Sequence, residues 1–227
     1  MPQVAVPMDV PPYRLSGVVY GTLLNHRTAW QSLGDAVNQP PYNGPPRAPV
    51  LYVKPQNTLA ASGDPVPVPP GVMELEVGAC LGLVIGRPAC RLEEASALEY
   101  LAGYLIVNDV SVPHRPYYRP SIRSIARDGF CPIGPRVVPR AAVADPDDLT
   151  IRVFIDGELK QQAATSQLVR AVRKLLADVT EFMTLSPGDV LAVGAAAPAP
   201  RVRAGQQACI EIDGLGRLES AFVQGTA

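Results

Sequence analysis

Proline constrains this chain more than any other residue: 25 of its 227 positions are proline and another 19 are glycine. Each proline removes a backbone N–H and biases the residue before it away from helix. The runs NQPPYNGPPRAP (38–49) and SGDPVPVPPG (62–71) are therefore read as non-helical. Most of what lies between the prolines is short and apolar with strand character: RLSGVVYGTLLN (14–25), VLYVKP (50–55), ELEVGACLGLVIG (74–86) and YLIVNDVS (104–111). Asp156-Gly157 inside LTIRVFIDGELKQQ (149–162) is a hairpin signal. LSPGDVLAVG (185–194) and RVRAGQQACIEIDGLGRLESAFV (201–223) read as further strands separated by glycine turns.

Helix is expected in few places. HRTAWQSLGDAV (26–37) suits a short one, and RLEEASALEYLAGY (91–104) sets Leu92, Ala95, Leu98 and Leu101 or Ala102 on one face. A third, from Ser166 to about Phe182, aligns Leu168, Val172, Leu175 or Leu176, and Val179. Residues 113–135 read as a long irregular loop, of the kind that is more often functional than not. The expected fold is mixed, β-rich α+β: one domain whose strands curl into a distorted roll or sandwich, flanked by helices near Arg91 and Ser166. Residues 1–12 are expected to be a flexible lead, 13–227 the domain, and 13–49 a variable, lid-like segment of it.

A net charge of −1, with 18% charged residues, leaves no electrostatic footprint for nucleic acid or an anionic membrane. The four cysteines, at 80, 90, 131 and 209, form no C-x-x-C pair, and only two histidines are present, a poor basis for a structural zinc. No basic leader with a long apolar run opens the chain, so the expected compartment is the cytoplasm.

Several segments occur together in a specific order: KPQNTL (54–59), EYLAGYLIVNDVS (99–111), DGFCPIGP (128–135), LSPGDVL (185–191) and IEIDGLGRLE (210–219). In that order and spacing the chain resembles the fumarylacetoacetate hydrolase family, and the resemblance implies that family's β roll or sandwich. Within the family the closer resemblance is to the amino-terminal half of the bifunctional isomerase/decarboxylases of 4-hydroxyphenylacetate (homoprotocatechuate) degradation, through VYGTLLNHRTAWQ (19–31) and NDVSVPHRPYYRPSIRSIARDGFCPIGP (108–135). Such enzymes decarboxylate 5-oxopent-3-ene-1,2,5-tricarboxylate and isomerise the resulting 2-hydroxyhepta-2,4-dienedioate.

The resemblance also exposes losses. Relatives carry Glu-x-Glu on the strand ending at Gly86, and these carboxylates join the Asp of NDVS around a divalent cation. The corresponding residues here are Gly78 and Cys80, with Asp109 left as a remnant ligand. A hard cation prefers oxygen donors, so no tight metal is expected at Asp109. Glu74 and Glu76 have the right mutual spacing but lie four positions too early. Ile125 stands where relatives have a lysine, Ala29 and Ser32 where hydrolytic and decarboxylating relatives have His and Glu, and Gly194-Ala195-Ala196 where Gly-Thr-Pro is usual.

The remaining candidates are few. His26, Asp109 and His114 are the catalytic candidates: the histidines titrate near neutral pH, and Asp109 is alternatively a buried hydrogen-bond acceptor. Asn25, Arg27, Arg119, Arg123 and Arg127 are the substrate-binding candidates, arginine forks being suited to carboxylates; Arg115 belongs to the same series. Tyr117 and Tyr118 are read as packing. The expected partner is a homologous, metal-binding carboxy-terminal-type subunit, or a second copy of this chain, with Mg or Mn in the partner and a small di- or tricarboxylate as substrate. The alternative is a catalytically degenerate member that stabilises or regulates an active paralogue.

Overall fold

The computed structural model describes residues 9–10, 13–114 and 121–226. Two sheets carry the fold. The larger has seven strands in the order Val50–Lys54, Val19–Leu23, Val190–Ala192, Ala79–Ile85, Leu101–Asn108, Cys131–Pro139 and Leu59–Ala60. The second has five, in the order Glu158–Ala164, Thr150–Ile155, Gln207–Ile212, Gly216–Gln224 and Pro65–Val68.

Ala79–Ile85 is buried at every position. Successive strand residues point to opposite faces, so Ala79, Leu81, Leu83 and Ile85 join one apolar cluster while Cys80 and Val84 join another. The first cluster lies between the two sheets and takes in Val153, Ile210, Leu218 and Phe222 of the five-stranded sheet. The second lies on the other face of the seven-stranded sheet, where Val107, Cys131 and Ile133 join Cys80. The mixed, β-rich single domain expected from the proline punctuation is the fold observed.

The proline runs behave as their chemistry requires. Pro65–Val68 is an edge strand, parallel to Gly216–Gln224, where a missing N–H is tolerated. Asp156 and Gly157 both have positive φ, 50° and 82°, and turn the hairpin between Thr150–Ile155 and Glu158–Ala164.

Three local expectations are corrected. The helix over 91–104 is absent: Glu94–Tyr100 is a 3-10 helix, and Leu101–Asn108 is a central strand. Sheet pairing overrides the helical spacing, because this strand is bonded on one side to Ala79–Ile85 and on the other to Cys131–Pro139. Gly103 permits that approach, since a Cβ there would meet the Val138 carbonyl at 2.1 Å. The helix expected from Ser166 begins only at Val172. Before it lies a 3-10 turn at Thr165–Gln167, after which Asn25 accepts the Arg170 N–H on its side chain and the Val169 N–H on its backbone, and Asp147 receives the Val172 N–H, so those N–H groups are diverted from a longer helix. The loop over 113–135 is shorter than expected, with a helix at Ile122–Ile125 and a strand from Cys131. Among the described residues no helix is long and apolar enough to cross a membrane.

Candidate functional site

A cavity of about 270 Å³ opens beside the seven-stranded sheet. Strands Val19–Leu23 and Val50–Lys54 bring Thr22, Leu23, Val50, Leu51 and Tyr52 to its wall, and the turn after Leu101–Asn108 brings Asp109 and Ser111. Leu24, Ala29 and Ser32 border it from the segment around the Arg27–Leu33 helix, and residues 195–199 border it from the loop after Val190–Ala192.

Asp109 sits in the most elaborate polar arrangement of the cavity. Its N–H donates to the Gly78 carbonyl at 2.8 Å, so the backbones of the two segments are in direct contact. Its Oδ2 accepts from the Tyr52 hydroxyl. Its Oδ1 lies 2.7 Å from Lys54 Nζ, and Lys54 is 1% exposed. That ammonium also donates to the carbonyls of Val110, Ile125 and Phe130 at 2.7, 2.9 and 3.0 Å. Three directed bonds use all three ammonium protons, so its contact with Oδ1 is an ion pair rather than a further directed hydrogen bond. A buried ammonium is costly unless paired and fully bonded, and here both conditions are met.

Two glycines make the arrangement sterically possible. Gly21 stands directly opposite Tyr52 in the antiparallel pairing, and a Cβ at Gly21 would meet the tyrosine ring at 2.0 Å. A Cβ at Gly78 would meet the Asp109 carbonyl oxygen at 2.4 Å.

Burial, and then the negative charge of Asp109, push the Tyr52 phenol well above its usual range. The same two causes, in the same order, raise the buried Cys80 thiol. Burial pushes Cys131 up to about 12. These thiols stay protonated near neutral pH and are poor thiolate ligands or nucleophiles.

The other expected residues divide between cavity and scaffold. His114 lines the cavity and its Nδ1 lies 2.8 Å from the Val112 carbonyl. His26 is not part of the lining. It is 3% exposed and caps the Arg27–Leu33 helix through the Thr28 N–H, and burial lowers its pKa against the opposing influence of the Ala164 carbonyl. Asn25 also lies outside the lining, clamping Arg170 and the Val193 carbonyl. Arg27 and Arg123 are exposed, Arg127 donates to the Arg123 carbonyl, and none of the three borders the cavity. Arg119, with Arg115, Tyr117 and Tyr118, lies outside the described residues.

Six positions at which the chain differs from the pattern that the resemblance implies line this cavity: Gly78, Ile125, Ala29, Ser32, Ala195 and Ala196. Glu76 lines it too, but its carboxylate is bonded to Arg201 at 3.2 Å and to Ser111 at 3.4 Å, while Glu74 is bonded to Arg203 at 2.7 Å. Among the described residues no group of three or more His, Cys, Asp and Glu side chains is placed to hold a metal ion. The residues present do not fit the family's divalent cation: a glutamate at 78 has no room, Cys80 is a buried thiol, and Asp109 is already compensated.

Sequence reasoning missed Tyr52, Lys54, Thr22 and Arg201. A charged lysine closing an apolar strand was a usable signal for Lys54. Thr22 had none; its buried Oγ1 has no hydrogen-bond partner among the described residues, and Thr22 borders the cavity.

Comparison with known proteins places this geometry among relatives. Residues 18–223 match the family model described as fumarylacetoacetate (FAA) hydrolase C-terminal. The chain is 37% identical over 209 residues to the 4-hydroxyphenylacetate degradation bifunctional isomerase/decarboxylase of Escherichia coli, covering 92% of this chain and 48% of that protein. It thus spans about half the length of the first curated relatives it matches. These matches bear out the resemblance to the fumarylacetoacetate hydrolase family and to the 4-hydroxyphenylacetate degradation isomerase/decarboxylases. Among solved structures, a 5-carboxymethyl-2-hydroxymuconate delta-isomerase from Mycobacterium smegmatis superposes with a TM-score of 0.78 at 28% identity, covering 94% of this chain and 81% of that one. A maleylpyruvate hydrolase from Sphingobium sp. SYK-6, solved with manganese(II) and pyruvate, gives 0.76 at 26% identity, covering 92% of this chain and 71% of that one.

Proposed function

The chain belongs to the fumarylacetoacetate hydrolase family, and from that premise we propose that it is a half-length subunit of an isomerase/decarboxylase assembly in 4-hydroxyphenylacetate degradation. It works beside a homologous subunit that holds Mg or Mn. The observation that carries this reading is that Gly78, Ile125, Ala29, Ser32, Ala195 and Ala196, where the resemblance gives relatives other residues, metal-binding and acid–base groups among them, all line one cavity.

The substrates of this reading are those that the resemblance implies: 5-oxopent-3-ene-1,2,5-tricarboxylate for decarboxylation and 2-hydroxyhepta-2,4-dienedioate for isomerisation. Decarboxylation of a keto acid of this kind builds charge on an enolate oxygen, which a bound cation stabilises as a Lewis acid. In this reading the partner supplies that group. The present chain contributes a cavity edged by His114 and Ser111, and of the lid-like segment 13–49 the part after the Val19–Leu23 sheet strand borders it, through Leu24, Ala29 and Ser32. Arg119, Arg123 and Arg127 are the carboxylate-binding candidates of this reading; Arg123 and Arg127 do not border the cavity, and Arg119 lies outside the described residues.

A second reading is favoured by one observation. Both oxygens of Asp109 are engaged by the chain's own Lys54 and Tyr52, which suits a catalytically degenerate member that stabilises or regulates an active paralogue. Mixing the purified chain with a metal-binding homologous subunit separates the two, with assembly followed by light scattering and substrate loss by ultraviolet absorbance. The first reading expects tricarboxylate turnover to rise on mixing; the second expects co-assembly without a rise per metal-bearing subunit. Full turnover by this chain alone after exhaustive chelation would overturn both.

A further inference from the structure

We propose that Thr22 and Arg201 orient the ligand of the cavity from two ends of one wall: Arg201 takes the distal carboxylate of a dienedioate-like substrate, and Thr22 hydrogen-bonds its 2-oxygen. This rests on the reading that the cavity receives a small di- or tricarboxylate, and it names the groups of the chain that hold it.

Thr22 is 3% exposed and borders the cavity, yet its Oγ1 has no hydrogen-bond partner among the described residues. The other hydroxyls of the lining, on Ser32, Tyr52, Ser111 and Ser121, all donate within the chain. A buried polar group without a partner is costly. A hydroxyl both donates and accepts, so a keto, enol or hydroxyl oxygen of a ligand would complete it.

From Thr22 the wall runs to Arg201. At Gly194 the chain passes so close to the Thr22 carbonyl that a Cβ would come within 2.8 Å of it, and residues 195–199, four alanines and a proline, then line the cavity. Their backbone groups are engaged elsewhere: the Ala197 N–H donates to Thr28, and Gln161 donates to the carbonyls of Ala196 and Pro198. The stretch between the two ends is therefore apolar and suits a hydrocarbon chain.

Among the described residues Arg201 is the one lysine or arginine that lines the cavity, and its side chain is 51% exposed. It stands opposite Glu76 in the short antiparallel pair and donates to that carboxylate at 3.2 Å. Its contact with Glu74 is longer, 3.6 Å, and Glu74 is bonded to Arg203 at 2.7 Å. One directed bond leaves most of the five guanidinium donors for a ligand carboxylate. A pair as exposed as this one is easily rearranged, so Glu76 holds the fork at the cavity margin without saturating it.

Calorimetric titration of the full chain with 2-oxoheptanedioate tests both ends. Heptanedioate lacks the 2-oxygen, and 2-oxoheptanoate lacks the distal carboxylate. Arg201→Gln should weaken 2-oxoheptanedioate about tenfold and leave 2-oxoheptanoate unchanged. Thr22→Val should weaken 2-oxoheptanedioate about fivefold and leave heptanedioate unchanged, while Thr22→Ser should restore binding. Because Thr22→Val deletes an unsatisfied hydroxyl, the melting temperature of the free protein should stay level or rise. A variant that fails to separate the probes in this way, or a Thr22→Val protein that melts lower as loss of a structural bond requires, overturns the proposal and leaves the carboxylate reading of the cavity intact. A wild-type chain that binds none of the three probes overturns both.

Discussion

Two sets of carboxylates, Asp109 at the cavity and Glu74 with Glu76 at its edge, of which only Glu76 borders it, are held in opposite ways. Asp109 faces an ammonium that is 1% exposed, whereas Glu74 and Glu76 face Arg201 and Arg203, whose side chains are 51% and 65% exposed. The contact distances are alike, 2.7 Å for Lys54–Asp109 and 2.7 Å for Arg203–Glu74. Distance therefore does not separate them, but solvent does. In water an ion pair is screened and its long side chains pay entropy to meet. Away from water, the loss of one partner leaves the other charge unsolvated. Glu74 and Glu76 can consequently be rearranged at little cost, while Asp109 cannot be spared by the fold even though it no longer has companions for a metal.

The largest expected effect tests the buried side directly. Asp109→Ala should cost about 3–5 kcal/mol, measured by urea denaturation, since Lys54 would keep its carbonyl bonds but lose its counter-charge. A cost near that of a surface substitution would break the comparison.

The next effect is a pH dependence confined to the buried region. The Cys131 thiol rises from 9.0 to about 12 on burial, so the folded protein retains a proton that the unfolded chain releases. Stability should be intact below about pH 9 and fall as pH rises through the window to about 12, at roughly 1.4 kcal/mol per pH unit for this one group. Tyr52 acts in the same direction above its ordinary 10.0. Cys131→Ala should remove one proton from the slope; an unchanged slope would show that this thiol does not govern the alkaline limb.

The smallest effect belongs to the rim. Arg203→Ala removes the bonds to Glu74 at 2.7 and 3.0 Å and should leave the urea midpoint unchanged within error, at low salt and at high. A loss comparable with that of Asp109→Ala would mean that Glu74, Glu76, Arg201 and Arg203 act as one cooperative network.

The candidate site was legible in proportion to how locally its residues are determined. Asp109 and His114 were named from the segment NDVSVPH and both border the cavity. His26 and Asn25 come from an equally suggestive segment, but helix capping and the clamp on Arg170 absorb them into the scaffold. No pattern within one strand announces that Tyr52 reaches Asp109, because their contact spans 57 positions and depends on the missing Cβ of Gly21.

By itself the sequence determined the class of fold, the strand at Val50–Lys54, the Asp156-Gly157 hairpin and the lack of carboxylates at positions 78 and 80, because each depends on residue type or on neighbours a few positions away. Proline denies helix wherever it stands, and a glycine or thiol in place of glutamate offers no hard oxygen in any conformation. Only the tertiary structure decided that Gly78, Ile125, Ala29, Ser32, Ala195 and Ala196 border one cavity, that residues 101–108 are strand rather than helix, and that Lys54 compensates Asp109. These outcomes depend on which strands lie side by side and on how far water is excluded between them, quantities that exist only once distant segments have packed.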